Sequence, residues 1–285
     1  MSRLYDTLRK MDREKRLPGT VAPEPDQPFE VLNNIEPGPV ETKYGPAVRI
    51  KPGRTSRLVA LTDPKSLGAE KFRALAARLE NLRQKSELKT LQITSAVVNE
   101  GKSLVAANLA VTIVKHFGYK TLLVEGDMHR PTLSTLLGLT GLEGINQWWC
   151  RREEDQEIAH YIHRLGDMSL WFLSAGSACD QPSELLQSAR FAETFMLLVG
   201  GFDWVIIDST PMSPVVDANL WSRLVDGTLL VVREGVAPIK ALKMGVKDLD
   251  NPKWLGIVLN EASEFDRVNY TDQYYGVQKK AENRP

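Results

Sequence analysis

From Thr90 onward, short apolar runs alternate with longer stretches of helical period. The runs at 91–94, 121–124, 170–173, 204–207, 228–232 and 255–259 are, apart from 91–94, apolar at nearly every position. Such runs predict strands buried on both faces. Helical stretches at 102–117, 184–199, 217–225 and 239–248 separate most of them. The alternation predicts an α/β fold: a mostly parallel sheet flanked by helices on both faces. Ahead of it, order resumes at Arg57-Leu58-Val59-Ala60-Leu61. Asp63 or Ser66 then opens a helix with Phe72, Leu75, Leu79 and Leu82 on one stripe.

The two ends read differently. Residues 2–16 predict a short amphipathic helix, with Leu4, Leu8 and Met11 on one face and Ser2 able to cap it. Residues 17–56 hold eight of the sixteen prolines and few apolar residues, which predicts a linker, disordered or partly polyproline-like. The organisation expected is therefore a helix at 1–16, a linker at 17–56, one domain at 57–262 and a polar tail at 263–285. The tail carries Tyr270, Tyr274 and Tyr275.

Composition narrows the function classes. With 285 residues, 42% of them hydrophobic, the chain can bury a sizeable core. Lys+Arg and Asp+Glu balance at 36 each, which argues against nucleic acid as the main partner. No apolar run is long enough for a bilayer, and the start lacks an apolar signal core. Cys150 and Cys179 form neither a metal nor a redox spacing. A reduced, cytoplasmic protein is the expectation. His160 and His163 lie three apart on an expected helix, with no carboxylate or cysteine set to complete a metal site.

The chemistry gathers behind the first core strand. Ala96-Val97-Val98-Asn99-Glu100-Gly101-Lys102-Ser103 runs into a helix. Phosphates need inward backbone N–H groups with a helix N-terminus behind them. Gly101 allows close backbone approach, Lys102 can reach β/γ-phosphates, and the Ser103 hydroxyl can hold Mg²⁺. The strict phosphate-loop pattern fails at its first position, Ala96, while Asn99 suits a left-handed turn where other such loops use glycine. Two further strands end in acids: Glu125 and Asp127 after one, Asp208 after the other. In a parallel sheet these strand ends share one edge with the phosphate loop, where an acid can orient Mg²⁺ or its waters. Each acid alone would serve equally well as a helix N-cap.

In order and spacing these stretches resemble the bacterial tyrosine kinase (BY-kinase) family, a branch of the MinD/ParA-like P-loop ATPases. The resemblance runs over about residues 57–275. It is carried by Glu70-Lys71-Phe72-Arg73-Ala74-Leu75, by Thr94-Ser95 through Glu100-Gly101-Lys102-Ser103, and by Glu125-Gly126-Asp127-Met128-His129-Arg130-Pro131. Gln181-Pro182-Ser183-Glu184-Leu185-Leu186, Asp208-Ser209-Thr210-Pro211 with Asp217-Ala218, Val231-Val232-Arg233-Glu234-Gly235 and Leu255-Gly256-Ile257-Val258-Leu259-Asn260 continue it. The chain departs from the family pattern at Glu125 (usually Asp), His129 (usually Arg), Val98 and Asn99 (usually Pro and Gly) and Ala76 (usually Arg).

The resemblance implies ATP and Mg²⁺ as cofactors and tyrosine autophosphorylation as the activity, in exopolysaccharide or capsule synthesis and export. It implies nucleotide contacts along Asn99, Glu100, Gly101, Lys102, Ser103 and Leu104. It implies metal support from Ser103, Asp208 and Asp127, and catalytic roles for Lys102, Glu125, Asp127 and Asp208. Tyr270, Tyr274 and Tyr275 become the phospho-acceptors. The implied partners are a separate membrane protein of the chain-length-determinant type, recruiting the chain to the inner membrane face, and further copies of the chain in a ring. Two other readings stand beside this one: a nucleotide-binding adaptor with vestigial catalysis, and a MinD/ParA-like partition ATPase. The second usually has a lysine where Val97 stands.

Overall fold

The computed structural model describes residues 44–51, 53, 57–151, 157–177, 182–212, 216–249 and 253–262. The chain divides into residues 1–36 and 37–285, and all described residues belong to the second unit. The expected helix at 2–16, most of the expected linker and the tail tyrosines lie outside the described residues.

Eight strands form one sheet in the order β1-β4-β5-β3-β6-β2-β7-β8. They are β1 (Gly45–Val48), β2 (Thr90–Ser95), β3 (Thr121–Glu125), β4 (Ile162–Leu165), β5 (Leu170–Leu173), β6 (Trp204–Asp208), β7 (Gly227–Arg233) and β8 (Trp254–Asn260). Every neighbouring pair is parallel except β4 with β5. Between them run α1 (Val59–Thr62), α2 (Leu67–Arg83), α3 (Lys102–Phe117), α4 (Leu133–Leu137), α5 (Ile145–Arg151), α6 (Pro182–Gln187), α7 (Ala189–Gly200), α8 (Asp217–Leu224) and α9 (Ile239–Asp248).

The apolar strands serve two cores, one on each face. Leu123 and Ile206 join one with α3, whereas Leu122, Val124, Val205 and Ile207 join the other with α7 and Trp221 of α8. Strand alternation thus places helices on both faces, as the pattern predicts. The central helix α3 is buried without interruption from Val105 to Val114. Its buried Asn108 accepts from the Ala60 amide at 3.0 Å and donates to the Arg57 and Leu104 carbonyls, so the polar group is satisfied and pins α1. Ser66 caps α2, accepting from the Ala69 amide at 3.2 Å.

Three expectations are corrected. The sheet begins inside the stretch expected to be linker: β1 pairs with β4 at Gly45↔His163 and Val48↔Leu165. Val48 and Ile50 pack on the core, which moves the start of the domain from residue 57 to about residue 44. The expected helix at 184–199 is two helices, because Ser188 folds out to cap α7, accepting from the Phe191 amide at 3.1 Å. His160 and His163 share no helix: His160 lies in a 3₁₀ turn and His163 in β4, its Nδ1 3.0 Å from the Pro46 carbonyl.

Candidate active site

The phosphate loop links β2 to α3 at the carboxyl edge of the sheet. Asn99 takes φ +65° and Gly101 φ +89°, so the left-handed turn expected of Asn99 is present. Asparagine tolerates that region better than most side chains. Gly101 is required twice, by its φ and by space: a Cβ there would sit 2.1 Å from Asn260 Nδ2. Asn260, at the end of β8, donates to the Glu100 carbonyl at 2.8 Å. Glu100 is fully buried and turns its carboxylate onto the loop itself, accepting from the amides of Val97 (2.8 Å) and Arg233 (3.2 Å). Its side chain braces the loop. Leu104, in the first turn of α3, is partly buried against the core.

The acids converge as the edge argument expects. Glu125 and Asp208 are register partners on β3 and β6. Gly126 lets the chain leave β3 tightly, since a Cβ would lie 2.8 Å from Ile207 and 3.0 Å from Trp221. Lys102 Nζ lies 2.9 Å from Asp127 Oδ2 and 4.0 Å from Asp208 Oδ1. Burial works against the Lys102 charge, but Asp208 and Asp127 more than offset it, and its pKa stays above the ordinary lysine value. Asp127 also accepts from the Arg130 amide at 3.0 Å.

Asp208 is fully buried, and neither carboxylate oxygen has a hydrogen-bond partner among the described residues. Burial, opposed by Lys102 and Ser103, pushes its carboxyl up to about 7. Orphaned carboxylate oxygens beside a serine hydroxyl are what a hard divalent cation or its water shell would satisfy. The Ser103 hydroxyl itself contacts Thr132 Oγ1 at 2.7 Å.

Glu125 stands apart from this group in one respect. Its buried carboxylate accepts from the Ser134 amide (2.9 Å), the Ser134 hydroxyl (2.6 Å), the Ser174 hydroxyl (3.2 Å) and the Ala175 amide (3.2 Å). A groove of about 510 Å³ opens beside this socket, lined by Ser134, Thr135, Gln147, Ser174 and Ser177 among others, and none of its lining comes from the phosphate loop. His129 Nε2 lies 2.9 Å from Oδ2 of the buried Asp217, which accepts from the Ser183 hydroxyl at 2.6 Å. This chain of contacts ties the loop after β3 to α8 and α6.

The structure thus brings Lys102, Ser103, Asp127 and Asp208 together and places Glu125 one shell outward. Sequence reasoning missed Thr132, Ser134, Ser174 and Asn260. Their only signal was position: Ser174 just past β5, Asn260 at the end of β8, and Thr132 and Ser134 in the segment that follows β3.

No family model matches the chain. CapB of Staphylococcus aureus is 32% identical over 229 residues, covering 79% of this chain and 98% of CapB. The succinoglycan biosynthesis transport protein ExoP of Rhizobium meliloti is 32% identical over 77% of this chain, which spans only 28% of ExoP. Among solved structures, the chimerical protein CapA2B2 superposes with a TM-score of 0.66 at 32% identity, over 75% of this chain and 92% of that one. The kinase domain of the Escherichia coli tyrosine kinase ETK gives 0.65 at 26%, over 74% and 82%. A ParA-family ATPase from Chlorobium tepidum shares the fold alone, at 0.50 and 17%. At 32% identity over 98% of the putative tyrosine-protein kinase CapB, the chain belongs to the bacterial tyrosine kinase family, on a fold shared with a ParA-family ATPase.

Proposed function

We propose that the chain is an ATP- and Mg²⁺-dependent tyrosine autokinase acting in exopolysaccharide or capsule assembly. The observation that carries the catalytic part is Asp208: a fully buried carboxylate that faces Lys102 at 4.0 Å and lies close to Ser103. Lys102 offsets the burial of this carboxylate only in part, and a cation with phosphates would complete the compensation.

The residues divide the work as follows. The amides of the phosphate loop and the N-terminus of α3 cradle the phosphates. Lys102 exchanges Asp127 for the β/γ-phosphates, which frees the Asp127 carboxylate. Ser103 and Asp208 would hold the metal, which would supply positive charge to offset that of the phosphate oxygens. A free tyrosine hydroxyl has a pKa near 10, so it needs a carboxylate beside it. Asp127, released by Lys102, takes the tyrosine proton as the tyrosine oxygen bonds to the γ-phosphorus and the bond to the ADP oxygen breaks. Positioning and charge neutralisation supply most of the rate.

Candidate acceptors are Tyr270, Tyr274 and Tyr275. Among the described residues no helix is long and apolar enough to cross a membrane. ExoP carries the matching region within a much longer chain. That longer chain supports a membrane protein of the chain-length-determinant type as partner at the cytoplasmic face, with further copies of the chain beside it.

Lys102→Ala tests this reading. A charge-assisted contact to phosphate is worth about 1.5–3 kcal/mol, so ATP affinity should fall roughly 10- to 100-fold and phosphotyrosine should vanish. Calorimetric titration with ATP and Mg²⁺, followed by phosphosite mapping, reads both. Unchanged affinity would mean that the phosphates bind elsewhere.

A further inference from the structure

We infer that α4 is a positioning element for the metal-binding hydroxyl: Thr132 orients Ser103, and Glu125 holds Thr132 in place by docking the start of α4. The inference rests on the Mg·ATP reading above and assigns roles within that site.

A serine that gives a lone pair to a cation must place its own proton on some acceptor. With the Asp208 carboxylate turned to the cation, Thr132 Oγ1, 2.7 Å from Ser103 Oγ in a contact where either hydroxyl can donate, is assigned as that acceptor. Thr132 is the residue before α4, so its position follows that helix. Both ends of the helix are fixed. At the start, Glu125 takes the Ser134 amide at 2.9 Å and the Ser134 hydroxyl at 2.6 Å, and fills its remaining capacity with Ser174 and Ala175. At the end, the Leu137 carbonyl accepts from the Lys51 amide at 3.0 Å. Gly138 admits that approach, since a Cβ there would lie 2.1 Å from the Lys51 carbonyl oxygen. Between these ties Leu133 and Leu137 are fully buried.

A carboxylate with four donors has little capacity left to take a substrate proton. Glu125 therefore acts through α4, as a positioning residue. The extra methylene, which sets this chain apart from the family's usual aspartate, now has a geometric use. It carries the carboxylate about 1.5 Å further, to Ser134. Aspartate would stop short of the socket and release the start of α4.

The test uses the full chain and a fluorescent ATP analogue, titrated with and without Mg²⁺. Thr132→Val removes the hydroxyl and keeps the shape; Thr132→Ser keeps the hydroxyl. The loss of one hydrogen bond to Ser103 should raise the Mg²⁺ concentration for half-maximal analogue binding about three- to tenfold in Thr132→Val. Metal-free affinity should be unchanged, and Thr132→Ser should restore the native value. Glu125→Asp should shift the Mg²⁺ requirement the same way, and the Thr132→Val/Glu125→Asp double variant should be no worse than the poorer single one. A native Mg²⁺ requirement in a folded Thr132→Val protein would overturn the inference, as would higher kinase activity in Glu125→Asp. If the native chain shows no Mg²⁺ dependence at all, the Mg·ATP reading itself fails, a result the titration separates from the first.

Discussion

Asp208 shows what this site costs the fold. Its folded carboxyl lies at about 7, against 3.8 for the unreacted group, with burial the first cause. Between those values the folded chain keeps a proton that the unfolded chain has lost. This group's contribution is therefore whole below about pH 4, falls as pH rises and is gone above about 7. Asp208→Asn should remove that slope and melt above the native protein at about pH 8 without nucleotide; melting curves across the range check it. Equal slopes in the two proteins would show that Asp208 is compensated. Mg·ATP should reverse the native penalty over the same window, because the metal binds the ionised form. Single residues were unevenly legible. Asn99 advertised its left-handed backbone because few other side chains accept φ +65°. The role of Glu100 was hidden, since its partners are amides of Val97 and Arg233, and only the folded loop brings Arg233 near. Glu125 was hidden likewise, since Ser134 and Ser174 come from separate segments.

At the level of elements, most of the buried strands were legible because they are apolar nearly throughout, β2 with its buried Gln92 and Thr94 being the exception, and α3 because it is long and periodic. The sheet's other side was not. β1 reads Gly-Pro-Ala-Val, half of it exposed, a sequence that resembles linker. An edge strand tolerates proline because one side of its ladder is unpaired. Its stability comes from elsewhere: Val48 and Ile50 on the core, His163 against the Pro46 carbonyl, and Tyr44. The Tyr44 ring, with Trp171 and Phe202, surrounds the Lys120 ammonium at 5.0–5.2 Å. None of these contacts can be read from residues 44–51 alone. Removing residues 1–43 should leave the melting temperature unchanged. Removing 1–52 should cost about 2–4 kcal/mol of apolar burial, several degrees in Tm, and loosen α4 through the lost Lys51 tie. Thermal melts of the two truncations decide it, and equal values would return the strap to the linker.

At the scale of the whole molecule, the tail decides whether phosphate moves within a chain or between chains. β8 ends at the site: Asn260 bonds the Glu100 carbonyl at 2.8 Å, and Glu261 is held by Arg57 and Arg233. The tail therefore starts from an anchored point on the phosphate-loop edge. Tyr270 follows Asn260 by ten residues, so it reaches at most about 35 Å. That span includes its own Lys102, but only if the segment doubles back at once, with a loop-closure penalty that a neighbour's site does not impose. A shared membrane partner of the kind proposed would hold neighbouring chains close and raise the local concentration of tail tyrosines. Transfer between chains is the expected outcome. Mixing Lys102→Ala chains, which keep their tyrosines, with catalytically native chains carrying Phe at 270, 274 and 275 tests it. Phosphotyrosine should appear on the Lys102→Ala chains, with a rate that rises with total protein. If the Lys102→Ala chains stay unlabelled in that mixture, while the native chain alone is labelled at a rate independent of concentration, each tail serves its own site.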